Sequence, residues 1–356
     1  MADIVQSTLA YEDWLRSKLG RAAVKNDLDR KHEKMRESAF AFLRAAYWRW
    51  AETVLDICPE LANAPSVLSI GDIHLENFGT WRDADGRLVW GVNDYDEAAE
   101  MPYALDLVRL ATSALLAHKT ASAQRASSAI LAGYSRGLAG PQPTVLDRDH
   151  GWLLEQVAVS EKKRAKFWKK IEESKWSKAP AAYRAALSAA MPGKRLAMKT
   201  APRTAGAGSL GRPRWIGLAE WCGGPVVREA KAVLPSVWLR ARGDRAARIR
   251  CAEIAGGRYR APDPWYRISK GIVVRRLSPN NRKIEADAEP AILLSDEMLD
   301  LMGFEIASVH MGVANRAGAI KRNLARRKSG WLAECASRMA ASVEADMAAW
   351  TAAQKP

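Results

Sequence analysis

This 356-residue chain has few of the groups that build closed metal sites or covalent staples. Its four cysteines (Cys58, Cys222, Cys251, Cys335) lie far apart in sequence and form no C-x-x-C pair, so they read as reduced thiols, not a zinc site or disulfide framework. The five histidines (His32, His74, His118, His150, His310) show no G-N-H or G-H-x-H pattern, which weighs against a dinuclear site drawing on several His ligands. No apolar run approaches the ~18–20 residues needed to span a bilayer. The opening Met-Ala-Asp-Ile-Val-Gln has no basic start followed by an apolar stretch, so no secretory signal and a cytoplasmic location are expected. Internal repeats, low-complexity linkers, zinc fingers, RNP-type aromatic motifs and a compact basic arm are all lacking.

What is present is an ordinary globular composition, 48% hydrophobic and 27% charged, long enough for one large domain or two lobes. The formal net charge of +15 favours anionic partners: nucleotides, nucleic acid or acidic headgroups. Charge alone does not choose among them. The basic residues are densest at 161–170 and 316–328, where solvated helix faces and contacts to an anionic partner are both open readings.

Patterning predicts a mixed α+β chain. Residues 10–55 read mostly as helix, and Ser66 to Ile70 as a short buried strand followed by a polar loop, Gly71 to Asn77. Phe78 to Trp81 and Leu88 to Val92 flank Asp83-Ala84-Asp85-Gly86, an Asp-Gly turn that predicts a hairpin. Pro102 to His118 has helical spacing with an apolar face. Residues 120–200 read as helices interrupted at Gly140-Pro141, Pro180 and Pro192-Gly193. A second β-rich region begins near 203, with strands at Trp215–Trp221, Val226–Val233 and Ile272–Leu277 and a helix over 240–255. From about 290 the chain reads as helix. The expected organisation is four segments: 1–120, 121–200, 201–280 and 281–356.

Two constellations carry chemistry. The first is G-D-I-H-L-E-N, a hairpin, then V-N-D-Y-D-E. Phosphoryl transfer needs a carboxylate near the attacking hydroxyl and oxygen ligands for Mg²⁺. Asp72 and Asn77 have the D-x-x-x-x-N spacing of a kinase catalytic loop, with Asp72 as the catalytic residue and Asn77 as a metal ligand. The hairpin returns the chain to the same end of the sheet, where Asp94 is a second ligand and Asp96 and Glu97 are further candidates. His74 reads as an orienting residue of the loop.

The second constellation is A-G-A-G-S-L-G, in which Gly206, Gly208, Ser209 and Gly211 can bring backbone close to phosphates. It leads into a strand, not a helix, which favours a kinase-type flap over a dinucleotide turn. Lys231 and Arg228, on opposite faces of the next strand, compete as the phosphate-contacting cation, and Glu253 on the following helix is the candidate ion-pair partner.

With these residues assembled, the chain resembles a bacterial family named domain-of-unknown-function family 2252, within the wider protein-kinase-like group that includes aminoglycoside phosphotransferases. The resemblance rests on Lys34–Arg44 (KMRESAFAFLR), Gly71–Gly79, Val92–Glu97, Leu105–Ser113 (LDLVRLATS), Gly206–Gly211, Arg228–Ser236 (REAKAVLPS), Val273–Leu277 and Ala307–His310. Where the family carries V-K-E-A, this chain has Val227-Arg228-Glu229-Ala230 and moves a lysine to 231. The resemblance implies a two-lobed kinase-like fold binding ATP and Mg²⁺. Asp106 resembles the structural Asp that phosphotransferases use to support the catalytic loop, and Arg44 is expected to pair with a carboxylate near the site. Ordinary kinases place the glycine loop before the catalytic loop. Here the order is reversed, so the expected fold is circularly permuted.

The leading functional expectation is a phosphotransferase that uses Mg²⁺–ATP on a small-molecule hydroxyl. A nucleotide-binding pseudoenzyme or regulatory module, AMP transfer in the same fold, a metallophosphoesterase reading of G-D-I-H, and nucleic-acid binding from charge remain as alternatives.

Overall fold

Helix α1 (Ile4–Leu19) starts at Asp3, whose carboxylate accepts the Gln6 N–H, and stops at Gly20, whose φ of +55° is costly for any residue with a Cβ. The predicted helical stretch 10–55 is four helices in this computed structural model, which describes residues 2–244 and 248–354. After α1 come α2 (Lys25–Glu37), α3 (Ala39–Ala45) and α4 (Tyr47–Ile57). Ser38 divides α2 from α3 because its extended backbone and hydroxyl cap the new helix at Ala41 N (3.1 Å).

Strand β1 (Ser66–Ser69) leads into the acidic loop, which ends in a 3₁₀ turn, Leu75–Asn77. Strands β2 (Phe78–Arg82) and β3 (Leu88–Val92) then form the predicted hairpin, with Phe78 opposite Val92. Its turn is held by Asp83, whose Oδ1 accepts the N–H groups of Asp85 (3.0 Å) and Arg87 (2.9 Å), and by Gly86 at φ +80°. Strand β4 (Ala99–Pro102), which patterning did not predict, pairs antiparallel with β1 and sets Ser69 opposite Ala99. That register is decisive for the site. It makes residues 70–98 one excursion whose two ends lie side by side.

Helix α5 (Ala104–Ala117) follows. It was expected to bury one face, but every residue from Ala104 to Ala114 is buried. The helix lies inside the molecule, against α3, against α6 (Ala123–Ala139) and against the long C-terminal helix Trp331–Ala353. One continuous apolar core runs from Ile4 to Trp350 around it.

The stretch 121–200 divides between two neighbourhoods. Helix α6 packs on helix Asp296–Met311 through small residues, and β5 (Thr144–Val145) adds to β3. A Cβ on Gly133 would overlap the Asp300 carbonyl, and one on Gly303 the Ile130 carbonyl, so the two backbones meet with no room for side chains. Helix Ala181–Ala189, capped by Pro180, instead packs on the second β region.

That region begins earlier than 203. Strands β6 (Lys199–Pro202), β7 (Arg214–Trp221), β8 (Gly224–Ala232), β9 (Arg267–Ser269) and β10 (Ile272–Leu277) form an antiparallel sheet in the order β6-β7-β8-β10-β9. The glycine-rich segment is the β6–β7 connection. Alternation along β8 splits its two faces. Ala230 and Ala232 meet Leu187 and Tyr183 of helix Ala181–Ala189, while Glu229 and Lys231 face the other way. The helix expected over 240–255 is not continuous: Val237–Ala241 and Cys251–Ala255 are short separate helices, and residues 245–247 of that span lie outside the described residues. No helix among the described residues is long and apolar enough to cross a membrane.

The α6 contact gives a direct test of packing. Gly133→Ala should lower the unfolding free energy by about 1–3 kcal/mol in denaturant titration, as overpacking does. Gly151→Ala, at a helix start with nothing within 4 Å of the added Cβ, should change it by less than about 0.5 kcal/mol.

Candidate functional site

The acidic loop is held from below by α5. Asp106, fully buried, accepts the N–H groups of Ile70 (2.8 Å) and Gly71 (3.0 Å). His310 Nε2 donates to the same carboxylate at 3.0 Å, and Tyr134 Oη bonds His310 Nδ1 at 2.9 Å. Two turns further along α5, Ser113 Oγ accepts the Leu75 N–H (3.1 Å). Three donors on one buried carboxylate satisfy it without water.

Asp72 at the head of the loop is ion-paired through Oδ1 to Arg109 of α5. Arg109 is itself fully buried, donates to Leu43 O (2.9 Å), and lies over the rings of Tyr47 and Trp50. The pair leaves Asp72 Oδ2 turned toward the glycine-rich segment. A Cβ on Gly208 would sit 3.0 Å from that oxygen and 3.2 Å from Arg44 O, so a side chain here would require its neighbours to give by a few tenths of an ångström.

Asn77 braces the loop ends. Its Nδ2 donates to Asp72 O (3.1 Å) and Asp94 O (3.0 Å), and its Oδ1 accepts the Asp94 N–H (3.0 Å). A flipped amide would face two carbonyls with its oxygen, so this network assigns the orientation. Oδ1 keeps one lone pair for a further partner.

Asp94 is 40% exposed and opens into the cleft. Its Oδ2 meets Lys231 Nζ at 3.1 Å, and Lys231 meets Asp96 at 2.6 Å. Burial pushes the Asp94 carboxyl up, but Lys231 and Arg275 outweigh it and hold the group well below the carboxylate range. Asp96 is pushed the other way, by burial and by the Asp94 charge. Glu97, also raised by burial, binds Arg212 (2.6 Å) and accepts the Val237 N–H (2.8 Å).

Asp72, Asn77, Asp94, Asp96, Gly206, Gly208 and Ser209 thus line one cleft of about 710 Å³, counting space open to solvent. The acidic loop and the glycine-rich segment meet although more than a hundred residues separate them. Ser209 is held by Arg214 Nη2 (2.6 Å). Four expected positions differ. Gly211, at φ +94°, packs against Leu28 and Leu15 and serves the core, not the cleft. Arg228 lies on the opposite face of β8, bonded to Ala190 O (2.9 Å) and stacked on Trp265. Glu253 is exposed and pairs with Arg250 (2.6 Å), not Lys231, because the short helix Cys251–Ala255 points it to solvent. Asp96 has both near cations, Lys231 and Arg212, as partners, so it is a counter-ion before it is a ligand.

The donor set suits a hard divalent cation: the Asp94 carboxylate and Asn77 Oδ1 both offer oxygen. They do not form a closed cage. Among the described residues, the group of three or more His, Cys, Asp or Glu ligand atoms within 4.8 Å of one another is Cys58, Glu60 and Cys335, remote from the cleft. Mg²⁺ commonly takes one or two carboxylates and fills the rest with water and substrate oxygens, so an open set fits it. Of the five histidines only His74 lines the cleft. Burial first, then Arg44 and Lys283, push it well below the usual imidazole range, and its Nδ1 accepts the Glu76 N–H (3.1 Å).

Residues 21–138 match the family described as an uncharacterized protein conserved in bacteria, DUF2252. The match bears out the family resemblance over that segment, which carries Asp72, Asn77, Asp94, Asp106 and Arg109. No curated protein and no solved structure matches the chain. The DUF2252 segment supplies the acidic half of the cleft, and the glycine-rich half lies beyond it.

Sequence reasoning missed Arg109, Lys31, Arg212 and Lys283. Arg109 had a signal, since an Asp and an Arg three residues apart inside the apolar run L-D-L-V-R-L are seldom both buried without a task. Lys31 had none. Fully buried, it donates to Gly208 O (2.8 Å) and Ala45 O (3.3 Å) over the rings of Tyr11 and Trp48. It therefore ties the glycine-rich segment to the N-terminal helices.

Burial and the Arg212 charge push the Lys31 ammonium down to about 7. An unfolded lysine titrates near about 10.4. Between these values the unfolded chain holds a proton that the folded one has released, so stability rises with pH across that window and is lost as pH falls toward 7. Lys31→Met should flatten this rise. Denaturant titrations of both proteins from pH 6.5 to 9.5 read the difference, and parallel curves would refute it.

Proposed function

We propose that this protein is a kinase-like phosphotransferase that transfers the γ-phosphoryl group of Mg²⁺–ATP to a hydroxyl acceptor. The observation that carries the reading is the approach of Gly208 to the Asp72 carboxylate beside Asp94. A glycine-rich backbone over an Asp/Asn/Asp set is the arrangement phosphoryl transfer requires: donors for phosphate oxygens on one side, metal ligands and a hydroxyl-orienting carboxylate on the other. The kinase-like fold in this reading is circularly permuted, because the acidic loop precedes the glycine loop in sequence while the two share a cleft. Elements pack by contact, and chain order does not forbid it.

Bound Mg²⁺ would supply charge neutralisation at the phosphate oxygens, held by Asp94 with Asn77 Oδ1. Asp72 Oδ2 accepts a hydrogen bond from the acceptor hydroxyl and takes its proton as the new O–P bond forms and the bond to the departing ADP breaks. Arg109 fixes Asp72 Oδ1, so the other oxygen keeps one orientation. Asn77 keeps the Asp72 and Asp94 backbones in register. Positioning of this kind is most of what such a reaction asks of a protein.

A second reading, a nucleotide-binding regulatory module without turnover, draws on the closed state of the cleft. Its free interior is about 100 Å³, small beside a nucleotide, and Lys231 is already neutralised by two carboxylates. Nucleotide entry then requires the glycine-rich segment to lift from Asp72. The metallophosphoesterase reading has little support, since His74 is the one histidine at the cleft.

Calorimetry with a non-hydrolysable ATP analogue should show binding that depends on Mg²⁺. Asp94→Ala should weaken it at least tenfold with an unchanged circular-dichroism spectrum. Absence of binding to the wild type, or wild-type affinity in Asp94→Ala, rejects the proposal. Binding without phosphate release or transfer over a broad hydroxyl panel selects the regulatory reading.

A further inference from the structure

The strand lysine is poorly placed to hold phosphate. Lys231 is 4% exposed, and its ammonium lies between Asp94 and Asp96. Three other cations lie nearby, on α3, on β10 and just after it, and each shares its paired carboxylate with another cation.

Arg44 of α3 and Lys283, after β10, share a single carboxylate. Glu76 Oε2 lies 2.8 Å from Arg44 Nη1 and 3.8 Å from Lys283 Nζ, while Glu76 Oε1 is taken by the Ala286 N–H (3.0 Å). Arg44 Nε is buried with no hydrogen-bond partner. Lys283 Nζ makes no hydrogen bond among the described residues, and its side chain is 42% exposed. Both residues line the cleft beside Asp72 and Asp94.

Arg275 of β10 approaches Asp94 and Asp96 from the sheet side, in a small cavity adjoining the cleft. It lies directly across from Glu229 in the β8–β10 register and lines that cavity with Asp94, Asp96 and Lys231. Glu229 is shared among three arginines: Arg203 (2.5 Å), Arg214 (2.6 Å) and Arg275 (2.8 Å). Arg275 gives Glu229 only its Nε, is 32% exposed, and has no partner for either Nη among the described residues. Cations that repel one another in a half-buried cleft are stabilised by an anion placed among them. Their mutual effect is visible at Lys283, which burial, then Arg44, push below the ordinary lysine range, with Arg275 acting in the same direction.

From these positions we infer that Arg44, Lys283 and Arg275 form a cradle for a polyphosphate chain, with Lys231 acting as the internal counter-ion of Asp94 and Asp96. The inference rests on the metal–nucleotide reading and adds which groups hold the phosphates. The ligand class is a linear polyphosphate, free or as the tail of a nucleoside triphosphate. Asp72, Asp94 and Asp96 would repel a bare polyanion, so the cradle takes it with a divalent cation. Arginine forks suit phosphate oxygens in pairs, and the lysine is a movable point charge.

The test uses the full chain and two probes, inorganic tripolyphosphate and a non-hydrolysable ATP analogue, each with Mg²⁺ in a calorimeter. Tripolyphosphate should bind the wild type. Lys283→Met, at an exposed position, should weaken it at least tenfold, Lys283→Arg should stay within about threefold of wild type, and Arg275→Lys should weaken it because a fork is lost. Thermal unfolding verifies that each variant is folded. Wild-type affinity for tripolyphosphate in both Lys283→Met and Arg275→Lys overturns the cradle. So does binding of the ATP analogue with none of tripolyphosphate, which leaves the metal–nucleotide reading standing with recognition through base and sugar. If neither probe binds the wild type, the cradle and that reading fail together.

Discussion

The cleft depends on two charged side chains buried in one helix. Asp106 and Arg109 of α5 have no solvent contact, and each reaches the same short loop from below. Asp106 fixes where the loop leaves β1, and Arg109 fixes the carboxylate at its head. Burying a carboxylate and a guanidinium is costly unless each is paired and hydrogen-bonded. Here the cost is offset in two steps. The Asp106 charge is met by two backbone N–H groups and His310; the Arg109 charge is met through Nη2 by Asp72 and a backbone carbonyl and by two aromatic faces, while its Nε and Nη1 have no hydrogen-bond partner. Loop and helix are consequently interdependent: neither charge has its full set of partners until the loop has its final shape. This also accounts for burial around the whole of α5, where an amphipathic pattern predicted one buried face.

The same logic extends to the opposite wall. The glycine-rich segment has only Ala207 to pack at its tip, so its position comes largely from groups that grip its backbone and its serine. Lys31 binds Gly208 O, and Arg214 binds Ser209 Oγ. Arg214 is in turn oriented by Glu229 on the neighbouring strand. Gly208 then approaches Asp72 without a Cβ to separate them. Two walls remote in sequence become one cleft through a lysine of the N-terminal helices and a strand of the sheet. Contacts of this kind are indifferent to chain order, which is why a reversed order of motifs is compatible with a shared site.

Local patterns were legible in the sequence and long-range partners were not. The Asp-Gly hairpin, β1, β7, β8 and β10 follow from alternation and turn chemistry that act over a few residues. The meeting of Asp72, Asn77 and Asp94 was legible too, because the hairpin that joins them is itself local. Strand β4 was hidden, since Ala-Glu-Met-Pro has little β propensity and is a strand only because β1 lies beside it. The helix expected over 240–255 had composition in its favour, but tertiary packing leaves two short pieces. Glu253 failed as a partner for Lys231 for that reason. Lys31, Arg212 and Lys283 were beyond reach, because nothing in an isolated stretch shows which carbonyl or carboxylate will meet a lysine from far along the chain.

The charge arrangement around Asp94 narrows what the cleft can hold. With Lys231 bound to Asp94 and Asp96, the floor of the cleft carries carboxylates whose nearest cations are already engaged. Its rim carries Arg44 and Lys283, and the adjoining cavity carries Arg275; all three share their carboxylates with other cations. An anion alone would be drawn to the rim and repelled by the floor. A divalent cation alone would be drawn to Asp94 and repelled by the rim. A complex of the two satisfies both surfaces at once, with metal toward Asp94 and anionic oxygens toward the rim, and each partner raises the affinity for the other. In the proposed reading, metal dependence of anion binding follows from where the charges lie, independent of any resemblance to other proteins.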